Sequence, residues 1–234
     1  MSNILFSTIM VKALLSGRKT QTRRLVKGKA LAWLDEGGFT PEFVANPDNN
    51  LCPYGKPGDA IYVKETHYRR GTWVKDGITK TGKQKWKFKP SDKVVLFENT
   101  KPALFEKSRN KDYPDKEMWY KRSSLFLPVS LCRMMLIITD IRIERLNQIN
   151  TDDAISEGVL TVPVEFFKDI FTEYFEAYKK WENTKTNDKP PLGHSPVEQF
   201  NALWQIINGA ESLQSNPWVW VISFTLKMVT NEQN

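Results

Sequence analysis

The sequence predicts an α+β fold, on three observations. Residues 60–66, 134–146 and 218–224 are rich in β-branched and aromatic residues and read as strands. Residues 8–16, and the stretch opened by Ser195-Pro196-Val197-Glu198, place apolar side chains at helical spacing. Between 68 and 122 the composition turns basic and aromatic, which reads as an insertion. The chain of 234 residues is long enough for one cored domain, so residues 1–234 are read as a single domain with that insertion at about 68–122.

Ile4, Leu5 and Phe6 form a short strand, and Ser7 or Thr8 can cap the next helix. Its apolar face holds Met10, Val11, Leu14 and Leu15, and Gly17 supplies the left-handed residue that stops it. Residues 20–26 read as a strand with a polar first half. Residues 28–50 hold Gly37-Gly38, Pro41 and Pro47-Asp48, and read as a connector with turns. A tight turn at 53–59 launches strand 60–66, where alternation puts Ile61, Val63 and Glu65 on one face. A carboxylate in an apolar row needs a partner, and an arginine is the simplest one.

In the insertion, Asp76-Gly77 and Thr81-Gly82 mark hairpin-like turns. Lys85, Lys87 and Lys89 alternate with Trp86 and Phe88, as on a strand with one basic and one apolar face. Such interleaving suits phosphate neutralisation with base stacking, and equally an insertion that packs its rings and solvates its lysines. Thr151 caps a short helix that ends at Glu157-Gly158. A carboxylate there opposes the helix dipole, so Glu157 is placed for a partner. Residues 164–181 read as helix, 182–194 as a polar linker, and the tail from Thr230 as frayed.

The net charge is +7, which favours an acidic partner, nucleic acid first. Two cysteines and two histidines give neither a disulfide framework nor a metal cluster, so no metal and no cofactor is expected. No window approaches the ~18 apolar residues of a membrane span, and a cytoplasmic location is expected.

The most unusual stretch is Gly17-Arg18-Lys19-Thr20-Gln21-Thr22-Arg23-Arg24. A helix C-terminus favours each cation by only ~0.3–1 kcal/mol, so four of them imply an anionic or polar counterpart. This stretch resembles the ASCH domain family, relatives of the PUA RNA-binding fold, in the long form carried by phages and prophages. The likeness extends to Pro57-Gly58-Asp59 before strand 60–66, to Ile138-Thr139-Asp140-Ile141-Arg142, to Asp153-Ala154-Ile155-Ser156-Glu157-Gly158, and to Asn216-Pro217-Trp218-Val219-Trp220-Val221. It covers about the first 67 and last 110 residues.

The resemblance implies a PUA-like small mixed β-barrel flanked by helices. It also implies an amidohydrolase that removes the acyl group from 4-N-acetylcytidine or related nucleosides. Lys19 matches the catalytic lysine of such enzymes, Thr22 the nucleophilic threonine, Glu157 the glutamate, and Arg24 a substrate-binding arginine. Glu65, in its apolar row, is a second candidate for substrate binding. A threonine hydroxyl needs a neighbouring base, and a lysine serves as one only when neutral. Lys19 and Thr22 would face opposite ways on a regular strand, so an irregular start to strand 20–26 is predicted. The other readings are a non-catalytic PUA-like module whose partner is RNA, and a binder of a host protein or nucleotide signal.

Overall fold

The computed structural model describes residues 2–110, 112–113, 115–169, 171–172, 176, 179–180, 183 and 194–229. The architecture is α+β. Strand β1 (Ser2–Leu5) leads to helix α1 (Thr8–Leu15) and strand β2 (Gln21–Leu25). Met10, Val11, Ala13 and Leu14 are buried along α1, whereas Leu15 is 43% exposed, so the apolar stripe is narrower than its sequence pattern.

The expected connector over 28–50 is instead helical, with α2 (Gly28–Asp35) and α3 (Pro41–Ala45). Ala30, Leu31, Ala32 and Leu34 are strong helix formers, and Gly37-Gly38 lie past the end of α2 rather than inside it. Thr40 caps α3 by accepting from the Phe43 N–H, with Pro41 in the first turn.

Then follow β3 (Ala60–Lys64), β4 (His67–Ile78), β5 (Gln84–Pro90), β6 (Leu96–Phe97), β7 (Met118–Arg122) and β8 (Met134–Arg145). Helix α4 (Thr151–Ser156) is capped by Asn150, not by Thr151: the Asn150 side chain accepts from the Asp153 N–H. Asparagine is at least as good a cap, and it stands one residue earlier. Val164–Phe167 forms a 3-10 turn; residues 170, 173–175, 177–178 and 181 of the expected helix lie outside the described residues. So do most of the expected linker and the tail from Thr230. Helix α5 (Pro196–Asn208) has the expected capping box between Ser195 and Glu198, and is followed by α6 (Ala210–Gln214) and β9 (Trp218–Met228).

Five strands form one sheet in the order β1-β3-β8-β9-β2. Strand β2 runs antiparallel to β9, with Thr22 opposite Ile222 and Arg24 opposite Trp220. By chain contacts the molecule divides into two compact units, the first mainly Ile9–Ile61 and Met135–Lys227, the second mainly Tyr62–Met134. In the first, Leu136, Ile138, Val219, Val221 and Ile222 are at most 1% exposed. The unbroken apolar run of β9 fits a strand covered on both faces.

The second unit is a sheet of order β5-β4-β6, with β7 also paired to β4. Register sets Lys87 opposite Val74 and Lys89 opposite Thr72, while Phe88 faces Trp73. Lys85, Lys87 and Lys89 are exposed and Trp86 and Phe88 half-buried, as the alternation predicts. Gly71 is required here, because a Cβ on it would lie 2.3 Å from the Lys89 carbonyl oxygen.

Cys52 and Cys132 are free thiols. Among the described residues, no helix is long and apolar enough to cross a membrane, and no cluster of three or more His, Cys, Asp or Glu could hold a metal.

Candidate active site

The site begins where α1 ends. Gly17 takes φ +71°, and the Arg18 and Lys19 N–H groups both donate to the Ala13 carbonyl, at 3.0 and 3.1 Å. The helix end is thereby closed, and the chain turns before β2 starts at Gln21. Lys19 therefore lies in the turn and not on the strand, as the spacing required. The Thr20 N–H donates to the Ser156 carbonyl at 2.8 Å, which ties this turn to the end of α4.

Glu157 follows α4 directly, and Gly158 after it has φ +81°. A Cβ on Gly158 would sit 2.9 Å from the Ala13 Cβ and 3.1 Å from the Lys19 Cβ. Only glycine permits both that backbone and that approach. The consequence is a buried contact: Lys19 Nζ donates to the Glu157 carboxylate at 2.6 Å and to the Glu157 carbonyl at 2.9 Å. Their side chains are 2% and 7% exposed. Burial lowers the Lys19 pKa, Glu157 opposes that shift, and Arg24 and Arg23 add to it as like charges.

The pair belongs to a larger ion network. Arg23 donates to Glu144 at 2.6 Å, to Asp153 at 2.8 Å and to Glu157 at 3.4 Å, with its side chain fully buried. Arg142 holds Glu144 and Asp153 from the other side, at 3.1 and 2.6 Å. Three cations thus face three carboxylates, which offsets the large cost of burying any one charge. The Arg23 guanidinium also lies over the Phe200 ring, at 5.6 Å.

Arg24 lines a cleft of about 480 Å³ with Arg23, Tyr54, Trp204, Asn208 and Trp220. That volume is of the size that takes a nucleoside-scale ligand, ~300–1,000 Å³. The walls combine ring faces with cationic and amide donors. Burial lowers the Arg24 pKa, while Tyr54 and Glu157 act in the opposite sense.

Of the residues singled out in the sequence, Lys19 and Glu157 are brought into contact and Arg24 faces the cleft. Thr22 is 3% exposed within β2. Gln21 and Arg23 are joined by a 2.7 Å hydrogen bond on the carboxylate face, so alternation assigns Thr22 and Arg24 to the other face. Glu65 belongs to the second unit. Arg133 grips it with two hydrogen bonds, at 2.8 and 2.9 Å, and Arg133 in turn donates to Asn99 and lies over the Phe97 ring.

Sequence reasoning passed over Glu144, Asp153 and Arg142. For Arg142 and Glu144 the signal was their i, i+2 spacing on β8, beyond its apolar run at 134–138. It also passed over Tyr54, Trp204 and Asn208, which only the folded chain assembles. Comparison with protein-family models, with curated proteins and with solved structures finds no match.

Proposed function

We propose that the chain is an amidohydrolase of the ASCH type, on a PUA-like fold, which removes the acyl group from 4-N-acetylcytidine or a related 4-N-acylated cytosine nucleoside. The observation that carries this reading is the buried Lys19–Glu157 contact, beside a cleft walled by Arg24, Tyr54, Trp204 and Trp220. The rings suit a planar base, and Arg24 suits a carbonyl oxygen that gains charge as it is attacked.

In this mechanism the Thr22 hydroxyl oxygen attacks the acyl carbonyl carbon, and because Thr22 and the Lys19–Glu157 pair fall on opposite faces of β2, the hydroxyl proton passes through one water molecule to Lys19, the neutral amine. The tetrahedral intermediate collapses with cleavage of the C–N bond. The proton, shared between Lys19 and Glu157, passes to the departing cytosine amine. Water then attacks the acyl-threonine ester, releasing carboxylate and restoring the hydroxyl. Burial of Lys19 serves this chemistry because it favours the neutral amine.

The test is release of acetate from 4-N-acetylcytidine, followed by the ultraviolet change. The wild-type rate should rise with pH through an ionisation below the ordinary lysine value, since the base must first lose a proton. Lys19→Ala and Thr22→Ala should each abolish turnover while the far-ultraviolet spectrum is unchanged. Full activity in Thr22→Ala would move the attack to a water molecule. No acetate from any acylated cytidine would end the proposal.

A second reading, RNA binding, draws on one observation in the second unit. Lys85, Lys87 and Lys89 stand exposed along β5, on the face that also carries Arg70, Lys121 and the half-exposed Trp119. Cations about 6.8 Å apart along a strand, with a ring beside them, suit an extended nucleic-acid backbone.

A further inference from the structure

Five polar side chains share the opposite face of that sheet. His67, Arg69 and Trp73 alternate along β4, and on β7 Arg122 stands opposite His67 and Tyr120 opposite Arg69. Four atoms of this group are buried with no hydrogen-bond partner: His67 Nε2, Arg69 Nε, Trp73 Nε1 and the Tyr120 hydroxyl. His67 and Tyr120 are 0% exposed. Orphaned buried polar atoms are costly, and four on one sheet face require an explanation. Arg69, Trp73 and Arg122 are only partly buried, so the group lies at the margin of the core rather than in its depth.

Charge indicates the kind of ligand. Burial lowers the pKa of Arg122, and Arg69 lowers it further, so the two guanidiniums are close. Arg69 donates to the backbone carbonyl of Asp92 rather than to its carboxylate. The Arg122 guanidinium lies over the rings of Trp73, Phe88 and Phe126, at 4.8, 4.5 and 4.8 Å, and no carboxylate pairs with it among the described residues. A guanidinium stacked on rings keeps its N–H donors in its own plane, aimed past the ring edges. Of the nearby acids, Asp92 acts on Arg69 as an opposite charge, Glu106 acts on Tyr120, and Glu65 is held by Arg133. Arg122, which no carboxylate pairs among the described residues, with Arg69 beside it, favours an oxyanion.

The imidazole narrows the choice. His67 Nδ1 lies 3.3 Å from the Glu65 carbonyl oxygen, which can only accept, so Nδ1 carries the hydrogen and Nε2 is an acceptor. Burial, with Arg122, Arg69 and Lys64 as like charges, lowers the His67 pKa to about 4 and keeps the ring neutral. A fitting ligand therefore brings acceptor oxygens for Arg69, Arg122, Trp73 and Tyr120, and one O–H for His67. Hydrogen phosphate and a singly protonated phosphomonoester have both. Sulfate and carboxylate, ionised near neutral pH, lack the O–H.

We propose that this β4–β7 face, through His67, Arg69, Trp73, Tyr120 and Arg122, binds a protonated phosphoryl group, either free phosphate or a phosphomonoester. The site lies within the second unit and does not depend on the amidohydrolase reading.

The experiment is calorimetric titration of the whole protein, near neutral pH, with sodium phosphate, sodium sulfate and adenosine monophosphate. Phosphate should bind, and sulfate should bind at least about tenfold more weakly. Tighter binding of the monophosphate than of phosphate assigns the site to a phosphomonoester; the reverse order assigns it to free phosphate. The chain has only two histidines, so nitrogen-15 spectra of the imidazoles resolve His67 readily. Its Nε2 signal should move with phosphate and not with sulfate. Tyr120→Phe removes an unpaired hydroxyl, so it should melt as the wild type does and bind phosphate about tenfold more weakly. Equal binding of phosphate and sulfate overturns the proposal. So does no binding at all, or phosphate binding that leaves both the His67 signal and the Tyr120→Phe affinity unchanged.

Discussion

Lys19 is held between opposed effects: burial disfavours its charge, and the Glu157 carboxylate 2.6 Å away restores part of what burial removes. Breaking such a pair from one side strands a buried charge, which costs ~3–5 kcal/mol, whereas replacing both partners by apolar groups costs far less. Lys19→Met should therefore destabilise the fold by ~1–3 kcal/mol in urea, because the Glu157 carbonyl loses its Lys19 donor and the carboxylate keeps only the longer contact to Arg23. The double variant Lys19→Met/Glu157→Leu should be more stable than Lys19→Met alone, with a coupling of at least ~1 kcal/mol. Simple additivity of the two single changes would show that the contact is not energetically coupled. Glu65 illustrates the same rule: its place in an apolar row was visible in the sequence, and Arg133 is the partner that position demanded.

At the scale of elements, the site exists because two helices end side by side. Gly17 closes α1 and Gly158 follows α4, and each takes a left-handed conformation. Gly158 also lies where a Cβ would press on Ala13 and Lys19. Gly158→Ala should cost ~1–3 kcal/mol, from the left-handed backbone together with overpacking. Since Lys19 is one of the groups displaced, acetate release should fall further than the loss of folded protein explains. A stability loss with an unchanged rate per folded molecule would separate the glycine from the site. The amphipathic pattern of α1 and the capping box of α5 were legible because both are local. Helices α2 and α3 were not, because Gly37-Gly38 follow the end of α2 and Pro41 opens α3, and both signals look the same in a turn.

For the molecule as a whole, the two units carry different surfaces. The first holds the ion network and the cleft, and the second presents a row of exposed lysines. If those lysines meet RNA phosphates, each contact contributes about 0.7 to the slope of log affinity against log salt on a single strand. Replacing Lys85, Lys87 and Lys89 by alanine should thus reduce the slope by about 2 and leave acetate release unchanged. An unchanged slope would remove β5 from any RNA-binding surface. The same substitutions should not disturb folding, because the three side chains are solvated and the rings behind them stay packed.

By itself the sequence determined the α+β class, the end of α1 at Gly17, the burial of Ile61, Val63 and Glu65, and the two-faced pattern of β5. Each of these is written in short-range periodicity or in a single residue's backbone freedom. The tertiary structure alone decided that Arg23, not only Lys19, engages Glu157, that Arg142, Glu144 and Asp153 close the network, and that Trp204 and Tyr54 share a cleft with Arg24. It also decided that four unpaired polar atoms fall on one face of the second sheet. The contacts of Lys19 and Arg23 with Glu144, Asp153 and Glu157 join residues more than a hundred positions apart, and no local pattern encodes which carboxylate a given arginine will meet.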